Sequence, residues 1–297
     1  PRRILDLGSG DGLDIVLREN LGTFASYVCL SHSWGGQQPL KTTMRSLRDF
    51  QNKITWSSLP RLFQDAVTCT RKIGFRYLWI DSLCIIQDDP TDWMEQSACM
   101  VDIYRNGALT LAAACSTGAH DSLFRRLSRK HQLRQLDSGG YPLVRAWVLQ
   151  ERLLSARVLY FGDQELFWGC TECTDCECRG ITNRRSPTQH LQIKAKFHPS
   201  TLHMLGATGI AEIWRTSIMP TYSQMKLTVE TDFLPALSGI AKAIAHALRK
   251  KKLTAGYIAG MWECWFIEDC LWYVDNPGLA QRPHTWRAPS FSWGSIK

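Results

Sequence analysis

The chain lacks any run near the ~18 uninterrupted apolar residues of a membrane span, so no spanning segment is expected. It has no secretory leader pattern at its start, and it opens on Pro rather than Met, as an excised domain would. It has no internal repeat and no low-complexity tract. Zinc-finger, helix-turn-helix and RNA-binding patterns are also missing, which sets nucleic acid aside as a partner. Cysteine is present in an odd number, 11, but is scattered rather than framed. Cys29, Cys69, Cys84, Cys99 and Cys115 fall inside apolar segments, where a free thiol behaves as a small hydrophobe. That usage fits a reducing compartment and a cytoplasmic protein.

What is present is enough for a large core. The 297 residues are 44% hydrophobic and include 12 Trp. One large domain or two ordinary ones fit this length. The net charge of +8 comes partly from Arg125–Arg126, Arg129 to Arg134 and Arg249 to Lys252. These read as solvated helix ends and loops.

Short apolar runs alternate with helical periodicity. Strands are expected at Arg3 to Leu7, Tyr27 to Ser31, Arg76 to Ile80 and Leu109 to Ala114. Leu59 to Ile73 carries Leu62, Phe63, Ala66, Val67 and Thr70 at helical spacing, and Gly74 stops it. Pro90 to Arg105 reads as a second helix ended by Asn106-Gly107. The pattern predicts an α/β fold with a mostly parallel sheet and helices on both faces. Arg157 to Gly162 and Glu165 to Trp168 suit a hairpin. Residues 182 to 199 read as a linker. The expected division is an α/β domain over 1–181 and a mixed α+β extension over 182–297 that packs on it. In the extension, helices are expected at Ile210 to Thr216 and Leu234 to Lys250, and Ala288 to Trp293 reads as an extended piece docking aromatics.

Ligands of parallel sheets sit beyond the carboxyl ends of strands. The strand ending at Ile80 is followed by Asp81, Cys84, Gln87, Asp88, Asp89, Asp92 and Glu95. The strand ending at Ser31 is followed by His32 and Trp34. Histidine titrates near neutrality and suits acid–base work, but a hydrogen-bonded turn histidine is equally ordinary. Cys84 is a nucleophile only with a base nearby, and its apolar neighbours favour an inert thiol. Asp81 either orients a ligand or caps the next turn. Glu95, early in a helix, is ordinarily a dipole complement. Cys170, Cys173, Cys176 and Cys178 form the one metal-like run. Four thiolates make a tetrahedral zinc site, yet ligands crowded this closely strain to reach all four corners. Free thiols are the plainer reading, and no metal is assigned.

Ile4 to Gly12 resembles the first motif of Rossmann-like methyltransferases. That fold needs a full helix next and then a strand ending in an acidic residue. Here the next strand follows too soon and ends in Ser31-His32-Ser33, so a plain strand and turn is expected.

A second resemblance spans about residues 27 to 152, and Tyr222-Ser223, Leu234 to Ile240, Ala259 to Trp262 and Ala288 to Trp293 extend it over nearly the whole chain. It rests on Tyr27-Val-Cys-Leu-Ser-His-Ser-Trp-Gly35, Leu59-Pro-Arg-Leu-Phe-Gln-Asp-Ala66 and Arg76-Tyr-Leu-Trp-Ile-Asp-Ser-Leu-Cys-Ile-Ile-Gln-Asp88. Asp92-Trp93, Ile103-Tyr104 and Arg145-Ala-Trp-Val-Leu-Gln-Glu-Arg152 continue it. In this order the segments resemble the fungal heterokaryon incompatibility (HET) domain. The resemblance implies an intracellular effector of non-self recognition whose activation leads to growth arrest or cell death. It also implies self-association, or another incompatibility protein as partner. HET domains are distantly similar to Toll/interleukin-1 receptor (TIR) domains, which implies a TIR/flavodoxin-like sheet. It also raises NAD as a substrate, with no firm cofactor. On that likeness Glu95 contacts the nicotinamide ribose, Trp34 stacks on a base, and Ser31, His32, Asp81 and Gln87 line the pocket. A non-catalytic oligomerising scaffold and a metabolic enzyme using Cys84 or His32 are the alternatives.

Overall fold

The computed structural model describes residues 1–8, 14–35, 40–124, 146–163, 165–177, 193–194, 196–225, 227, 230–278 and 280–296. The chain divides into two units. One comprises Pro1–Pro142 with Ser155–Pro187, the other Leu143–Leu154 with Thr188–Lys297.

In the first unit, eight short strands form one sheet. They are β1 (Arg3–Asp6), β2 (Val16–Glu19), β3 (Tyr27–Ser31), β4 (Tyr77–Ile80), β5 (Leu109–Ala112), β6 (Arg157–Phe161), β7 (Leu166–Cys170) and β8 (Thr174–Cys176). Their order is β2-β1-β4-β3-β5-β6-β7-β8. The central β4-β3-β5-β6 block is parallel. The flanking pairs are antiparallel. Taken in chain order, the parallel strands lie second, first, third, fourth, as in flavodoxin-type doubly wound sheets. All residues of β3 and β5 are buried. That is why they read as continuous apolar runs, since parallel strands are covered on both faces.

The coverings are α2 (Arg61–Lys72) and α4 (Pro90–Asn106), with the smaller α1 (Leu47–Asn52) and α3 (Asp81–Cys84). Asp89 caps α4, accepting from Thr91 N at 2.9 Å and Asp92 N at 3.2 Å, with Pro90 in the first turn. Tyr27 Oη donates to Ile103 O at 2.6 Å, and Trp79 meets Tyr104 edge-on at 5.5 Å. Tyr27, Cys29 and Trp79 share one face of the sheet by alternation and register. On the other side α2 presents Phe63, whose ring edges His32 at 5.1 Å. Helices therefore lie on both faces, as the periodicity predicts.

Several details depart from the expectation. The sheet is parallel only at its centre, because each flank is a hairpin. β2 and α1 occupy stretches in which no element is expected. β1 runs antiparallel to both its neighbours, and β2 follows it where a methyltransferase needs a helix. Asp6 is held by Arg76, Nε to Oδ1 at 2.7 Å and Nη2 to Oδ2 at 2.9 Å, and accepts from Gly8 N at 3.0 Å. The methyltransferase resemblance stops at the strand. Residues 9–13 of its glycine turn, the basic segment 127–140 and most of the expected linker lie outside the described residues.

The second unit contains α5 (Ala146–Leu154), α6 (Pro199–Met204), α7 (Ala207–Ile213), α8 (Met219–Ser223), α9 (Ser238–Lys250) and α10 (Phe266–Asp269). It also holds a two-stranded sheet of β9 (Tyr257–Ile258) and β10 (Met261–Trp262). Gln150 of α5 accepts from Gly239 N at 2.7 Å, satisfying an open amide at the start of α9. Trp214 Nε1 and Trp293 Nε1 both donate to Gly260 O, at 3.1 and 3.0 Å. Trp293 also packs on Tyr222 and Phe233, so the Ala288 to Trp293 segment docks aromatics as expected.

Candidate functional site

The parallel register of β3 on β4 pairs Leu30 with Ile80. The residues that follow those strands therefore meet. Trp34 Nε1 donates to Asp81 Oδ2 at 2.9 Å, and His32 Nδ1 lies 3.7 Å from Asp81 Oδ1. The His32 side chain is only 1% exposed and that of Asp81 19%. Asp81 Oδ1 also accepts from Ser82 N at 2.8 Å. The carboxylate thus orients an indole, accepts from the next backbone N–H in the one-turn α3 and faces an imidazole. A carboxylate beside a histidine is an acid–base arrangement in outline. The indole N–H is already bonded, which fixes the plane of Trp34.

In a sheet of this order, the crevice for ligands opens where the strand order reverses, between β3 and β5. Here the loops after those strands touch. Gly35 has φ +64°, and a Cβ there would lie 2.5 Å from Thr117 O and 2.7 Å from Gly118 Cα. The β5 loop is held from below by α2. Asp65 Oδ2 accepts from Ser122 Oγ at 2.6 Å and Leu123 N at 3.0 Å, and Leu62 N donates to Ala119 O at 3.1 Å. Neither Gly35 nor Asp65 stands out by residue type. A glycine after a strand-end Trp, and an acid amid buried helix positions, were the available signals.

The remaining sequence candidates are engaged in the backbone or stand elsewhere. Gln87 Nε2 donates to Ile85 O at 3.0 Å and Asp81 O at 3.2 Å, so its amide braces the turn after α3. Ser31 is buried, and its carbonyl accepts from Ala113 N at 2.9 Å in the strand ladder. Burial pushes the Cys84 thiol up to about 12. A thiol in that range is protonated at neutral pH, and thiolate is the reactive form.

Glu95 is in a different neighbourhood. Its carboxylate is 56% exposed and lies 3.6 Å from Arg2 Nη1. Nearby, the Arg3 side chain is fully buried. It is paired with Asp92, with Glu19 at 3.3 Å, and donates from Nε to Cys84 O at 3.1 Å. Asp92 also accepts from Ile86 N at 2.8 Å. This buried pair fastens β1 to the first turn of α4 and so sets where Glu95 stands. Arg3 is absent from the sequence candidates, because nothing local tells a buried strand arginine from an edge one. The structure groups His32, Trp34 and Asp81, and it groups Glu95 with Arg2, Arg3 and Asp92.

Of the cysteine run, Cys170 and Cys173 face each other across a turn and Cys176 is buried on β8. Cys178 lies outside the described residues. No group of three or more His, Cys, Asp or Glu able to hold a metal forms among the described residues.

Residues 27–142 match the family model for Heterokaryon incompatibility protein (HET). The match covers less than half of the chain, and over that segment the chain is similar to the HET family. The segment runs from β3 past β5 and includes His32, Trp34, Asp81, Gln87 and Glu95. Searches of curated proteins and of solved structures each returned no match. No helix among the described residues is long and apolar enough to cross a membrane.

Proposed function

We propose that this chain is an effector of fungal heterokaryon incompatibility, acting in the cytoplasm and driving growth arrest and regulated cell death when engaged. Its partner is a second copy of itself or another incompatibility protein. The observation that carries the reading is the HET match over residues 27–142, with the Asp81 cluster at the carboxyl side of the parallel strands that the match spans. The test is induced expression of the full chain in a fungal host. Growth arrest is expected, and an Asp81→Ala variant of equal abundance is expected to lose it. Normal growth at high abundance, alone and in strains of differing compatibility type, counts against the reading.

Glu95 favours a second, more specific reading, in which the effector step is cleavage of NAD. Among the described residues its exposed carboxylate on α4 pairs only with Arg2, at 3.6 Å, and exposed pairs of this kind hold weakly. In the reaction the C1′–N bond to nicotinamide breaks and its electron pair leaves with the nicotinamide. The positive charge that develops on the ribose is stabilised by the carboxylate. Water then adds at C1′ and releases a proton, giving ADP-ribose. This step is assigned to Glu95 alone, because the fold groups it with Arg2, Arg3 and Asp92 and apart from His32, Trp34 and Asp81. Nicotinamide release by the concentrated protein, lost in Glu95→Gln, is the expected result. Full release by Glu95→Gln removes this residue from the chemistry. Arrest of growth without any release favours the non-catalytic scaffold.

A further inference from the structure

At the far edge of the sheet, the turn between β7 and β8 is built from two thiols. Cys170 Sγ and Cys173 Sγ lie 3.6 Å apart. Cys173 N donates to Cys170 Sγ at 3.3 Å, and Cys170 N donates to Cys173 O at 2.9 Å. The turn is thus pinned from both ends with its sulfurs on one side. Cys173 is exposed and Cys170 partly so. A sulfur that accepts N–H bonds is favoured as thiolate. Burial pushes the Cys170 thiol up, but hydrogen bonds from the Cys173 and Glu172 backbone and from the Cys173 and Trp168 side chains together bring the net direction down. Cys173 moves the other way, first through its hydrogen bond to Cys170.

The same pair spans one edge of a tetrahedral zinc site, for which Zn–S is about 2.3 Å. Among the described residues no third ligand joins it, and two thiols suffice for a disulfide. Forming one from a separation of 3.6 Å needs about 1.5 Å of approach, which side-chain rotation in an exposed turn supplies.

We propose that Cys170 and Cys173 are a reversible dithiol–disulfide couple that exchanges with a small-molecule disulfide such as oxidised glutathione. The Cys170 thiolate attacks one glutathione sulfur, breaking the S–S bond. A mixed disulfide forms and the first glutathione leaves as thiolate. Cys173, giving up its proton, attacks Cys170 Sγ and releases the second glutathione. Two protein thiols are oxidised and one small disulfide is reduced to two thiols. The buried Cys29, Cys69 and Cys84 are not reached by this exchange.

The test equilibrates the full chain with graded ratios of reduced to oxidised glutathione, blocks remaining thiols by alkylation and locates the bonds by fragment masses. The expected result is loss of two hydrogens between Cys170 and Cys173, with both thiols recovered after reduction. The exposed Cys99 should take up only a mixed disulfide. Cys173→Ser should trap glutathione on Cys170, whereas Cys170→Ser should leave Cys173 mostly unmodified under the same conditions. The proposal is overturned if both thiols stay free at ratios that modify Cys99, if either bonds instead to Cys176 or Cys178, or if stoichiometric zinc in the purified protein protects them.

Discussion

Removing Asp92 tests how the first unit is fastened. The Arg3 side chain is 0% exposed and that of Asp92 3%. Breaking a buried pair by deleting one partner costs about 3–5 kcal/mol, because the remaining charge stays out of water. Arg3 would keep Glu19 at 3.3 Å and Cys84 O at 3.1 Å, so the lower end applies and Asp92→Ala should cost about 3 kcal/mol. The loss of the Ile86 N–H bond keeps it from falling much below that. Against a total of about 5–15 kcal/mol this is a large fraction. With a urea slope of ~2–3 kcal/mol/M, the midpoint of the first unit's transition should drop by about 1–1.5 M. Replacing both partners with apolar residues, as in Arg3→Met with Asp92→Leu, should restore most of the loss, since no charge is then stranded. A single-variant loss under about 1 kcal/mol, the range of surface pairs, would refute the reasoning. So would a double variant no more stable than Asp92→Ala.

Two further outcomes follow from the same unit. Gly35→Ala should destabilise by about 1–3 kcal/mol, since φ is +64° and the new Cβ meets Thr117 O at 2.5 Å. Gly22→Ala, at φ +67° in open space, should lose less in the same denaturation assay, and equal losses would count against a closed β3–β5 junction. The Arg76 guanidinium holds the Asp6 carboxyl below its usual range. Its contribution to stability is therefore full above about pH 4 and fades as pH falls through the folded value. The stability gap between the parent and Arg76→Met should accordingly shrink on acidification. A gap that is constant with pH would show that the pair is not formed in solution.

Much of the fold is written locally. β3, β4 and β5 are legible because burial on both faces makes them uninterrupted apolar runs, and α4 because Asp89 and Pro90 mark its start. β2 is not legible, since Val-Leu-Arg-Glu buries one residue and exposes another without a clear alternation. The meeting of His32, Trp34 and Asp81 follows from two adjacent parallel strands ending at the same height. That Glu95 would stand with Arg2 is not legible. It depends on β1 being laid antiparallel beside β4, a pairing across more than 70 residues of chain that nothing near Glu95 encodes. The Arg3–Asp92 pair is hidden for the same reason, each partner being unremarkable until the other is brought to it.

The borders of the HET match have a practical consequence. β4 is flanked on its outer side by β1, and β5 by β6, yet both flanking strands fall outside residues 27–142. A fragment trimmed to those borders would keep three parallel strands and leave both outer ladders without hydrogen-bond partners. Open edges of that kind recruit foreign strands. Toxicity or clumping seen with so short a piece would report its raw margins rather than the behaviour of the intact protein. Fragments of this chain made to study the matched segment should therefore begin before β1 and extend past β8.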